Sequence, residues 1–71
     1  MLVEQMGKRL RQQRKSLGIT QPHLAELSGV SVNWLSALEQ GKGNPTLGTL
    51  EKIADVLGLE VRLEIKNPDL R

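Results

Sequence analysis

A chain of 71 residues holds one domain at most and buries only about 60% of the surface that its unfolded form exposes, too little for a large enzyme cleft. Hydrophobic residues make up 38%, an ordinary globular share that excludes wholesale disorder, and the absence of cysteine excludes a disulfide scaffold, a thiol nucleophile and a thiolate zinc site. A net charge of +2 names no partner by itself. From Val3 to Leu17 the apolar residues Val3, Met6, Leu10 and Leu17 recur at helical spacing, so this stretch is predicted as a first helix, stopped by Gly18. Five of the ten cations lie on it between Lys8 and Lys15, with no acid among them, which makes a local basic face. Thr20 is an N-cap and Pro22 is tolerated in a first turn, so a second helix is expected from about Gln21 to Ser28, with Leu24, Ala25 and Leu27 inward. Gly29 ends it. Ser31 caps a third helix, Val32 to Gln40, with Leu35 and Leu38 inward and a stop near Gly41. After the turn-forming run from Gly41 to Pro45, Thr46 caps a fourth helix with Leu47, Leu50, Ile53, Ala54 and Leu57 on one face, ended by Gly58. The period then changes to two. Residues 59–66 alternate strictly, with Leu59, Val61, Leu63 and Ile65 on one face, the signature of a strand with one buried side. A lone strand leaves its backbone groups unpaired, so its partner is expected from a second copy of the chain.

Several function classes find no support in these residues. The single His23 has no neighbouring nucleophile or metal-ligand pattern, and there is no glycine-rich phosphate cradle, so no enzyme, metal or organic cofactor is implied. Trp34 is the one aromatic residue, which removes the stacking platforms that RNA-reading sheets and single-strand binders use. No window of about 18 apolar residues exists for a membrane span, and the early cationic run leaves no signal-peptide stretch. A reducing cytoplasm is the expected setting.

Two short helices joined by a tight glycine turn have the spacing of a helix-turn-helix, whose second helix enters the DNA major groove. The run Leu17, Gly18, Ile19, Thr20, Gln21, then Leu24, Ala25, then Gly29, Val30, Ser31, then Leu35, Ser36, Leu38, Glu39, Gln40, Gly41, Lys42, and Pro45, Thr46, Leu47 closely resembles the Cro/C1-type, or XRE, helix-turn-helix family over roughly residues 6 to 58. That resemblance implies an all-α, lambda-repressor-like domain of four helices over residues 1–58. Residues 59–66 are expected to form a dimerisation strand that pairs across a homodimer, and 67–71 a C-terminal tail. The alternating ending, in place of the family's usual fifth helix, is similar to that of the HipB-like antitoxins, which repress their own operon and bind a HipA-type kinase toxin. Some solitary regulators share it, so a stand-alone repressor is the alternative, and a module that binds only protein is a third. The common expectation is a homodimer on double-stranded DNA with a near-palindromic operator.

Base contacts are expected from the start of the third helix, at Ser31, Val32 and Asn33, and one turn later at Ala37. The Asn33 amide can pair bidentately with adenine, whereas Val32 and Ala37 can only pack on a thymine methyl or fill the helix. Phosphate contacts are expected from Thr20, Gln21, Trp34, Ser36, Lys42 and Asn44. Among these, the resemblance makes Gln21 a phosphate-binding glutamine, supported by the free N–H groups of its helix N-terminus. Lys42 lies where the family touches the next phosphate, although an exposed loop lysine is often only solvated. Trp34 either lays its ring over the sugar-phosphate backbone or covers the helix pair. Arg14 and Glu39 align with a charged pair that the family places between its first and third helices.

Overall fold

A computed structural model describes residues 3–62, which form four helices: α1 (Val3–Ser16), α2 (Gln21–Ser28), α3 (Val32–Glu39) and α4 (Leu47–Val56). The caps that start them are the residues the sequence offers. Thr20 Oγ1 accepts from the His23 backbone N–H at 3.2 Å, Ser31 Oγ from that of Trp34 at 3.0 Å, and Thr46 Oγ1 from that of Thr49 at 3.2 Å. Each hydroxyl thereby satisfies one of the donors that a helix N-terminus leaves without an internal partner. The ends are equally uniform. The backbone N–H of Ile19, Val30, Lys42 and Leu59 donates to the carbonyl five residues earlier, at 2.8 to 3.1 Å, closing each helix with a six-residue loop. In the α2–α3 turn this closure puts Gly29 at φ 73°, a left-handed conformation that costs a residue with a Cβ free energy and glycine nothing comparable.

Leu10, Leu24, Ala25, Leu35, Leu38, Leu50, Ile53 and Leu57 form one buried cluster to which all four helices contribute, with Val3, Met6, Ile19 and Trp34 packed at its margin. Contacts run from α1 to α3, from α2 to α3 and from α2 to α4, so α2 and α3 are held between the outer helices. At the α1–α3 crossing the backbones meet through Gly7: a Cβ there would stand 2.0 Å from the Leu38 carbonyl oxygen. Only glycine allows that approach. The apolar stripe of α1 thus contains two residues that are not apolar, Gly7 and Arg14, both buried.

Three leucines expected inside are outside: Leu17 is 50% exposed, Leu27 55% and Leu47 56%. Leu17 follows the end of α1 and lies in the turn. On α2 the buried stripe is Leu24, Ala25 and Ser28, and a residue three positions after Leu24 falls beyond the edge of that stripe. Leu47 opens α4, one turn before the first buried position, Leu50. α3 ends at Glu39 with Gln40 as its cap, one residue earlier than expected.

After α4, residues 59–62 form neither helix nor strand, yet they alternate: Leu59 and Val61 are half-buried against the core, and Glu60 and Arg62 are exposed. Glu60 and Arg62 pair with each other at 2.9 Å on the outer side. Leu59 and Val61, with Met6, Leu10, Leu50 and Ala54, line an open apolar trough of about 450 Å³ between α1 and α4. The expected strand positions Leu63 and Ile65, and the tail, lie outside the described residues.

Candidate nucleic-acid interface

The turn from Gly29 to Ser31 delivers the first residues of α3 to the surface. Ser31, Val32 and Asn33 are exposed, Val32 at 39% although it is apolar. Ala37, one turn after Asn33 on the same side of α3, is half-buried, as is Ser36. Ser31 Oγ is engaged as a cap acceptor but its hydroxyl hydrogen is free to donate, and the same holds for Thr20. Ser36 Oγ accepts from Gln40 Nε2 at 3.1 Å. Lys42 and Asn44 are exposed on the α3–α4 loop. Trp34 is half-buried and packs against the core, and with Val30, Ser31, Asn44, Thr46 and Thr49 it borders a shallow notch. The notch brings Ser31, Trp34 and Asn44 together beside the first turns of both α3 and α4. Thr46 and Thr49, whose hydroxyls lie 2.9 Å apart, join them there, and the sequence marks Thr46 only as a cap.

Behind this surface lies a polar network. Arg14 Nε and Nη2 donate to the two carboxylate oxygens of Glu39 at 2.7 and 2.9 Å, a bidentate pair. The Arg14 and Glu39 side chains are 10% and 2% exposed. Arg14 Nη1 also donates to the Ile19 carbonyl at 2.9 Å, tying α1 to the segment that leads into α2. The hydrogen bonds it donates to Glu39 hold Arg14 above the ordinary arginine range, burial opposes that effect, and the charge of Glu39 adds to it. Gln21 completes the network, its Nε2 donating to Glu39 Oε1 at 3.1 Å. The sequence does not announce this contact. Its one signal is that Gln21 precedes Leu24, Ala25 and Ser28 by three, four and seven positions, which puts a polar residue on the inward stripe of α2. Gln13 is likewise unmarked, reading as part of a basic run, yet its Nε2 caps the end of α4 by donating to the Leu57 carbonyl at 3.0 Å. Lys8, Arg9, Arg11 and Lys15 are exposed along α1. No described helix is long and apolar enough to cross a membrane.

Residues 5–64 match the family model described as a helix-turn-helix domain. The chain belongs to that family. Among its relatives, the HTH-type transcriptional regulator PuuR of Escherichia coli K12 is 38% identical over 63 residues, which are 89% of this chain and 34% of PuuR. The immunity repressor protein of Bacillus phage phi105 is 39% identical over 56 residues, 79% of this chain and 39% of the repressor. The chain thus spans little more than a third of the length of these relatives. The biofilm master regulator SinR, whose structure was solved in complex with DNA, superposes with a TM-score of 0.72 at 38% identity, covering 78% of this chain and 89% of SinR. The four-helix architecture of the helix-turn-helix domain therefore has an experimentally determined counterpart over most of its length.

Proposed function

We propose that this helix-turn-helix domain reads double-stranded DNA as a homodimeric transcriptional repressor, with α3 in the major groove. The observation that carries the reading is the first turn of α3. It presents an uncommitted amide, Asn33, beside an exposed apolar Val32, with donors on both flanks: Thr20 and Gln21 at the start of α2, Lys42 and Asn44 after α3. Asn33 pairs with an adenine edge, and Val32 and Ala37 pack on thymine methyls, with Ser31 at the groove's lip. Thr20, Gln21, Trp34, Ser36, Lys42 and Asn44 hold the flanking phosphates and set orientation without reading sequence. Residues 59–66 join two copies in an antiparallel pair. The partner's strand extends the Leu59 and Val61 face over the apolar trough.

Selection of bound duplexes from a random pool is the test. The expected product is an inverted repeat whose half-sites lie a whole number of helical turns apart. Recovery of no common sequence, or retention no stronger than by heparin competitor, overturns the proposal. A narrower reading rests on the alternation of residues 59–66 alone: an antitoxin of the HipB-like kind that represses its own operon and binds a HipA-type kinase. Co-purification of a kinase-like partner from cells carrying the native locus supports it, and purification of the dimer alone favours a stand-alone regulator.

A further inference from the structure

Gln21 is the one expected phosphate ligand whose side chain is hydrogen-bonded to the buried ion pair. A carboxylate only accepts, so Glu39 requires the nitrogen end of the Gln21 amide to face it. The amide is planar. Once one N–H is aimed at Glu39 Oε1, the directions of the second N–H and of the carbonyl oxygen are set, and the side chain's rotamer freedom is spent before any ligand arrives. Glu39 in turn cannot swing, because both of its oxygens are held by Arg14 and its side chain is almost fully enclosed. Arg14 also cancels a negative charge that would otherwise stand next to an anion site, and its bond to the Ile19 carbonyl anchors the segment preceding the Thr20 cap. Buried arginine, buried glutamate and half-buried glutamine therefore form one chain of contacts from α1 through α3 to the first residue of α2.

We infer that Glu39 is a positioning residue for DNA binding: it presets the Gln21 amide for a backbone phosphate, and Arg14 makes this possible by holding the carboxylate and neutralising it. The inference rests on the DNA-binding reading above and deepens it. It has a signature that a purely structural ion pair lacks. Gln21 is uncharged, so its phosphate contact displaces no counterion, and losing its orientation weakens binding without changing the slope of log affinity against log salt. The weakening is uniform over DNA sequences, because a phosphate carries no sequence information.

The test is a cycle of Kd values on one duplex taken from the selection experiment, measured for the full chain, Gln21→Ala, the double variant Arg14→Met with Glu39→Met, and the triple variant. Each is measured well below its own melting temperature. The Met pair replaces a buried ion pair by apolar side chains of similar length, which folded proteins tolerate. Gln21→Ala is expected to weaken binding about 3- to 10-fold in the parent, the range of one hydrogen bond, and by less than about 2-fold in the Met background. The salt slope is expected to be the same for all four proteins. Equal losses from Gln21→Ala in both backgrounds overturn the inference, as does a Gln21→Ala that binds like the parent. If the Met pair does not fold, NMR relaxation of the side-chain amides in the parent chain without DNA takes its place: the Gln21 amide is expected to be more ordered than that of the exposed Gln12, and equal mobility of the two overturns the inference. Failure of the parent chain itself to retain any duplex is a different result, and one that rejects the DNA-binding reading.

Discussion

Arg14 and Glu39 are the only charged residues buried among those described, and each is the other's compensation. Arg14→Met alone strands a carboxylate among leucines and is expected to lower stability by about 3 to 5 kcal/mol, whereas changing Glu39 to Met as well recovers most of that loss. Urea unfolding followed by circular dichroism measures both variants, and equal stability for the single and the double variant contradicts the expectation. Arg14 makes no demand on pH in the working range. A folded-state pKa raised above the ordinary arginine value means that its contribution is complete below that value and fades only as alkali passes the folded one, so it adds no slope near neutrality. Asn33 belongs to the same scale but to the other property, recognition. Asn33→Ala is expected to cost about 1 to 3 kcal/mol on the selected duplex and to relax one base-pair preference in each half-site. Equal losses on selected and random duplexes exclude a base-reading role.

At the scale of single helices, Ser31 is a consequential cap, because α3, like α2, has only eight residues over which to distribute an unsatisfied N-terminus. Ser31→Ala is expected to lower stability by about 1 kcal/mol in thermal melts, with Ser31→Asp near the parent, since an aspartate caps as well as serine. Leu24→Ala, at a side chain with no exposure, is expected to cost about 2 to 5 kcal/mol, and Leu27→Ala, half exposed, far less. Element boundaries were legible because they are written in local chemistry. Thr20, Ser31 and Thr46 mark the starts, glycines mark the stops, and neither signal depends on what lies across the fold. Which face each short helix buries was legible only in part. Two turns of α2 contain too few apolar residues for their period to separate Leu24, which is enclosed, from Leu27, which is not; the deciding fact is where α3 and α4 pass. Gly7 was unreadable for the same reason, and of the contact between Gln21 and Glu39 only the inward position of Gln21 on α2 was legible. A glycine between Met6 and Lys8 and a glutamine before a proline acquire meaning only from a carbonyl and a carboxylate more than fifteen residues away in sequence.

For the whole molecule, the dimer proposed above has two chains complete one core, over the open trough beside Leu59 and Val61. The pairing register that centres the two-fold axis on Leu63 sets Glu60 against Lys66 and Arg62 against Glu64, while an axis on Arg62 or Glu64 sets like charges opposite one another. Forming the favourable register requires Arg62 to release Glu60 of its own chain, an exposed pair worth little. Leu63→Lys is expected to convert a dimer into a monomer in sedimentation velocity and to abolish tight operator binding; a DNA-binding dimer from this variant contradicts the arrangement. The glycine crossing of α1 on α3 has a consequence of another kind. Gly7 and Arg14 are two fixed points on one helix, seven residues and almost two full turns apart, the first seated on the Leu38 carbonyl and the second on the Glu39 carboxylate. They work like two teeth of a gear against a rack. Residues added before Gly7 lengthen α1 without disturbing either tooth. A single alanine inserted between Arg11 and Gln12 rotates one tooth by about 100° relative to the other, so the helix can seat Gly7 or Arg14 but not both. Length changes in α1 are therefore forbidden between residues 7 and 14, however helical the inserted residue is.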